Sequence, residues 1–218
     1  MERNLNKGMI SKRIQDKGIL AKLLEHGVKI LVIKYCKKIG SIKIDIIASS
    51  IQIIKGELQK INIIAEDINY KDLLFDRVQL EANQIGIKFK LKNKELNFKN
   101  NQIIKFKLSL SENSLKTVLL SKNWSWIGAR ICKEILNKEK IEDVKLRNDK
   151  LLIKGYKKNM TNNQVEQINI KAEKGKIYLG NKTSNKTFQV PMENKIYIET
   201  INIENNLIKI SANSSLSF

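Results

Sequence analysis

The side chains that could do covalent or acid–base chemistry are few and scattered. One histidine, His26, lies among lysines, and the two cysteines, Cys36 and Cys132, form no metal-ligand spacing or disulfide framework. No Ser-His-Asp order, P-loop or dinucleotide glycine pattern occurs, and no pair of carboxylates is singled out for proton transfer. These absences argue against an enzyme, a metal centre or a bound cofactor. The chemistry on offer is cationic. With 41 Lys and Arg against 22 Asp and Glu, the 218-residue chain carries a net charge of +19, which suits an anionic partner such as a phospholipid surface or a nucleic acid.

The charge is unevenly placed. Residues 1–43 hold 11 basic and 3 acidic side chains, residues 44–87 hold 4 and 7, and residues 88–122 hold 9 and 2. Only five of the basic residues are Arg, and the abundance of Lys, Ile and Asn also fits a coding bias carried on a solvated surface. Nucleic-acid recognition by a sheet calls for aromatics or arginines among the lysines. Here Phe89 and Phe106 alternate with lysines and so lie on the opposite face, which leaves nucleic acid as the third reading. No secretory signal is visible at Met1–Gly18, and no apolar run approaches membrane-spanning length. A cytoplasmic or peripherally membrane-associated protein is expected.

The lysines must be positioned by something, and the first candidate is a helix. Leu20, Leu24, Val28, Leu31, Val32, Tyr35, Cys36 and Ile39 follow helical spacing, with Lys22, Lys29 and Lys34 among the intervening positions. Ile30 and Ile33 fall off that stripe, which implies cover on more than one side. The apolar face either packs on a sheet or lies in a membrane interface with its lysines on anionic headgroups.

The second candidate is a repeat. Ile44, Ile46, Ala48 and Ile51 recur 17 residues on as Ile61, Ile63, Ala65 and Ile68, and again as Val78, Leu80, Ala82 and Ile85. Period-two alternation predicts strands, and the short links predict an antiparallel meander. The two-residue gap after each Ala reverses parity, so a bulge is expected there. Further strands are expected around Phe89, around Leu96 and Phe98 between turns at 93–94 and 100–101, and over Phe106–Leu110. Ser111 should cap a helix to about Ser121. A second helix follows, entered by Trp124 and Trp126, which suit either a membrane–water interface or a buried plug. Val144–Ile153 reads as a hairpin turning at Asn148-Asp149, strands return at Ile168–Ile177 and Ile196–Ala212, and 156–163 and 180–194 read as loops.

The helix running directly into a strand, Lys55-Gly56-Glu57-Leu58-Gln59-Lys60-Ile61, then Ala65, Tyr70, Leu74, Val78 and Leu80, resembles the LmeA-like family of bacterial phospholipid-binding proteins. The resemblance covers nearly the whole chain and rests on patterns of apolar and small residues. It implies an α+β fold: a strongly curved, mostly antiparallel sheet, an elongated half-barrel of the tubular lipid-binding type, wrapped on the N-terminal helix, with one or two further helices near 112–137. One domain over 1–218 is expected, with residues 1–17 flexible. The implied site is an apolar channel for acyl chains. Leu24, Val28, Leu31, Val32 and Tyr35 would line it from the helix, and Ile44, Ile46, Ile61, Ile63, Val78 and Leu80 from the sheet. Lys22, Lys29, Lys34, Trp124 and Trp126 would meet headgroups or membrane. The alternative is a basic membrane or protein-docking module with no internal lipid.

Overall fold

A computed structural model describes residues 18–90, 95–98, 101–158, 165–181 and 184–216; the expected flexible segment 1–17 and the turn at 93–94 lie outside them. The fold is α+β with two antiparallel sheets. Helix α1 (Ile19–Tyr35) leads into β1 (Ser41–Ile47), helix α2 (Ser50–Lys55), β2 (Glu57–Tyr70) and β3 (Leu73–Lys90). Strands β4 (Glu95–Phe98) and β5 (Gln102–Ser111) follow, then α3 (Glu112–Leu120) and α4 (Ser125–Ile131), which continues as a π-helical turn over Cys132–Leu136. Strands β6 (Lys140–Arg147), β7 (Lys150–Tyr156), β8 (Val165–Glu173), β9 (Lys176–Asn181) and β10 (Lys186–Gln189) form the second sheet. The last two strands, β11 (Ile196–Glu204) and β12 (Leu207–Leu216), return to the first, whose order is β1-β2-β3-β5-β12-β11 with β4 on β3.

The 17-residue repeat is the reason that β1, β2 and β3 pair in register. Ile44 faces Ile63, which faces Leu80, and Ile46 faces Ile61, which faces Ala82. The row continues from Leu80 to Phe106, Ala212 and Ile198, so one face of the first sheet is apolar from edge to edge. The parity change after each Ala is met in two ways. In β2 and β3 a single residue takes a left-handed conformation, Asp67 at φ 52° and Gln84 at φ 52°, while the pairing on either side keeps one register. In the first copy the strand stops instead. Ser49 caps α2 in a reciprocal arrangement with Gln52, and Gly56 closes it at φ 72°, because Ser49-Ser50-Ile51-Gln52 offers the backbone a capping box that the matching Glu66-Asp67-Ile68-Asn69 does not. A true slip occurs in β11 between Ile198 and Thr200, and it puts Ile196, Ile198, Ile201 and Ile203 on one side.

One extended sheet does not account for the terminal strands. Residues 140–189 make a separate sheet, and part of the expected 180–194 loop is β10, whose Phe188 is 1% exposed. A four-residue strand with one apolar side chain among polar neighbours has no readable alternation. The second sheet joins Leu119, Ile131, Cys132, Ile135 and Leu136 of the α3–α4 region and Leu110 and Ile208 of the first sheet in one apolar cluster. A second cluster forms at the other end of the first sheet, where Ile46, Leu58, Ala82, Ile85 and Ile87 take Leu24 and Val28 of α1 and Ile53 of α2. Both edges of the first sheet are met at one point. The Ile46 N–H on β1 donates to the Glu25 carboxylate (2.8 Å), and the Ile198 N–H on β11 donates to the Gly175 carbonyl (3.0 Å), which blunts edges open to pairing by another chain.

Candidate membrane-contact surface

Helix α1 has no side-chain N-cap and no acidic residue in its first turn, so packing must hold it more than capping does. Its inner line is Ala21, Leu24, Glu25, Val28 and Val32, at the i+3 and i+4 steps that keep one face on the sheet. The buried Ala21, the packed Leu24 and Val28, and the Glu25 carboxylate on the β1 edge fix the helix along that line.

The opposite face is the unusual one. On it Leu23 and Ile30 are exposed by 63% and 55%, Leu20, Leu31 and Ile33 on its flanks and Tyr35 at the helix end are exposed as well, and Ile51 and Ile54 of neighbouring α2 are exposed by 67% and 77%. Of the 17 exposed large hydrophobics among the described residues, ten lie within residues 19–54. Such clustering, in contrast to single scattered residues, marks a contact surface. Lys22, Lys29 and Lys34 are exposed on the same helix. At Gly27, between Leu23 and Ile30, no described atom outside its chain neighbours and the helix backbone comes within 4 Å of where a Cβ would stand.

The C-terminal end of α1 is tied to two other segments. The Lys37 N–H donates to the Asn69 carbonyl, and the Asn69 N–H donates to that of Lys38. At the β2–β3 turn, Lys71 and Asp72 are both left-handed, and the Asp72 carboxylate accepts from the Lys37 ammonium (2.6 Å) and from the Asn123 amide (2.6 Å). The Trp124 indole N–H donates to the Lys71 carbonyl (2.8 Å), and the Lys71 ammonium sits 5.4 Å from the centre of the Tyr70 ring. Asp72 therefore stitches the helix end, the hairpin tip and the loop before α4 into one unit. Trp126 remains 42% exposed. Between the end of α1 and β1 runs a groove of about 630 Å³ lined by Lys29, Ile33, Cys36, Lys37, Lys38 and residues 39–42. Burial pushes the Cys36 thiol above its ordinary pKa.

The expected site residues thus separate into groups. Leu24, Val28 and Ile46 are packed in the cluster under α1, with Ile44 and Ile61 at its margin and Val32 half-buried. Ile63, Val78 and Leu80, joined by Phe106, form a half-buried strip between the two clusters. Leu31 and Tyr35 do not line an inner wall. Leu31 is about 80° round the helix from the packed line and Tyr35 is its last residue, and both are exposed, by 43% and 67%. A groove of about 670 Å³ is bordered mainly by the polar face of the first sheet, by Lys43, Asp45, Asn62, Gln79, Glu81, Lys105 and Lys107. The sequence reading missed Leu23, Ile51 and Ile54 and the role of Asp72. The signal for the first was a second apolar stripe through Leu20, Leu23, Ile30 and Leu31.

Among the described residues no helix is long and apolar enough to cross a membrane, and no group of three His, Cys, Asp or Glu is placed to hold a metal ion. No protein-family model, curated protein or solved structure matches the chain.

Proposed function

We propose that this protein binds the surface of anionic phospholipid membranes through the outer faces of α1 and α2, without catalysis. The observation that carries this reading is the concentration of exposed apolar side chains on α1 and α2, flanked by Lys22, Lys29 and Lys34. An interfacial helix places its apolar side at the acyl boundary and its lysines at the headgroups, and each lysine near an anionic surface contributes about 1 kcal/mol. In this reading the protein is peripheral, on a cytoplasmic or other anionic leaflet. Its first sheet is a half-barrel curled along α1, the plan implied by the resemblance to LmeA-like proteins. Co-sedimentation with phosphatidylcholine vesicles, with and without phosphatidylglycerol, tests it across a salt series. Binding that needs the anionic lipid and weakens with salt is expected; equal recovery with neutral vesicles at all salt concentrations would sink the assignment.

The half-buried strip of Ile63, Val78, Leu80 and Phe106 favours a second reading, in which one acyl chain lies across the sheet between the two clusters. Each buried CH₂ would contribute roughly 0.8 kcal/mol. A stoichiometric diacyl lipid in the native mass of the gently purified protein is the expected result. An empty, folded protein whose mass does not change on incubation with phospholipid would dismiss this second reading and leave the first intact.

A further inference from the structure

We infer that the stitched end of the molecule, formed by the end of α1, the β2–β3 turn and the loop before α4, is a second membrane contact that sits at headgroup level and sets the orientation of the bound protein. The inference rests on the reading of α1 as a membrane-binding helix. It is carried by an independent juxtaposition. Tyr35, Tyr70 and Trp126 are all exposed on segments joined at this end, and Lys38, Lys71 and Lys122, exposed as well, stand beside them in the chain.

Tyrosine and tryptophan concentrate at membrane–water interfaces because an apolar ring with a polar edge gains from both sides of that boundary. The lysines supply the complementary charge for anionic headgroups. The end is also pre-ordered. Asp72 holds Lys37 and Asn123, and the Trp124 indole is held on the Lys71 carbonyl, so docking orders few new groups. Helix α1 ends at this unit, so the two contacts adjoin in the chain at Tyr35 and Lys38. An amphipathic helix alone would leave the protein free to roll about the helix axis. Two contacts fix it.

The chain has only two tryptophans, Trp124 and Trp126, which makes the test direct. The parent carries both reporters with the Trp124 indole bond intact, and full-length Trp126→Phe keeps Trp124 alone, so the difference between the two reports Trp126. Each is mixed with phosphatidylcholine–phosphatidylglycerol vesicles carrying lipids brominated near the headgroup end of the acyl chain, with co-sedimentation measured in parallel. The expected result is a blue shift and strong quenching of Trp126 on binding, with less quenching of Trp124. Lys71→Glu together with Lys122→Glu should weaken binding at least 25-fold, at about fivefold for each lysine charge lost. Protein that sediments with the vesicles while Trp126 emission stays unchanged would overturn this inference and spare the reading of α1. Failure of the parent protein to sediment at all would overturn both.

Discussion

Replacing Leu23 and Ile30 together by Gln should abolish most membrane binding and leave the fold intact. Both side chains lie on the outer face of α1, 63% and 55% exposed. Full burial of a Leu or Ile is worth about 1.5–3 kcal/mol, so burying the remaining exposed part in lipid is worth about 1–2 kcal/mol for each and about 2–4 for the pair. At about 1.4 kcal/mol per factor of ten, the double variant should bind roughly 30- to 700-fold more weakly. Glutamine is a good helix former, and a substitution at an exposed site ordinarily changes folding stability by no more than about 0.5 kcal/mol. The assay is vesicle co-sedimentation at low salt, paired with urea unfolding of the same samples. A variant that unfolds like the parent and binds vesicles with unchanged affinity would refute the reasoning, because Leu23 and Ile30 stand on the side of α1 turned away from the sheet, which this reading puts in the membrane.

Three further outcomes follow from the packing and the charges. Phe188→Ala removes a ring that is 1% exposed within the cluster beneath the second sheet, and should cost about 3–5 kcal/mol in urea unfolding; a loss under about 1 kcal/mol would show that β10 does not dock as described. Glu25→Ala leaves the Ile46 N–H without its 2.8 Å carboxylate partner. It should destabilise the protein by about 1–3 kcal/mol and speed amide exchange at Ile46. Asp143 is held at a pKa of about 2 by hydrogen bonds from Lys116 and Lys145, below its ordinary 3.8. Its stabilising contribution is therefore complete above about pH 4 and lost as pH falls toward 2, so the stability gap between the parent and Asp143→Asn should close over that window in acid-unfolding curves.

Much of the first sheet could be read from spacing alone. The 17-residue repeat matches the register Ile46–Ile61–Ala82 and Ile44–Ile63–Leu80, and Asn148-Asp149 and Asn205-Asn206 form left-handed two-residue turns where turn residues stand. The parity gap correctly marked a local irregularity. Only the cap chemistry at Ser49 decides that the first copy becomes a helix. The division into two sheets was not legible, because a strand pattern shows which face is buried and not which strand is its neighbour. In the candidate site, the lysines and tryptophans were visible as residue types. Leu31 was assigned inward because the helix was taken as a single stripe, whereas the apolar residues of α1 run along two; Tyr35, seven residues on from Val28, keeps the angular position of the packed line but is exposed at the end of the helix. Asp72 could not be recognised from sequence, since its partners Lys37 and Asn123 lie 35 and 51 residues away.

A depth measurement at position 30 bears most directly on the claim that the outer face of α1 enters an anionic membrane. Cys132 is fully buried and its thiol is pushed up to about 11 by that burial, so it resists labelling at neutral pH. With Cys36 replaced by Ser, an Ile30→Cys variant can carry a single environment-sensitive fluorophore. On phosphatidylcholine–phosphatidylglycerol vesicles the label should shift to the blue and be quenched by brominated acyl chains, and both effects should reverse in high salt. Vesicle-bound protein whose label at position 30 still reports bulk water would contradict the insertion of α1.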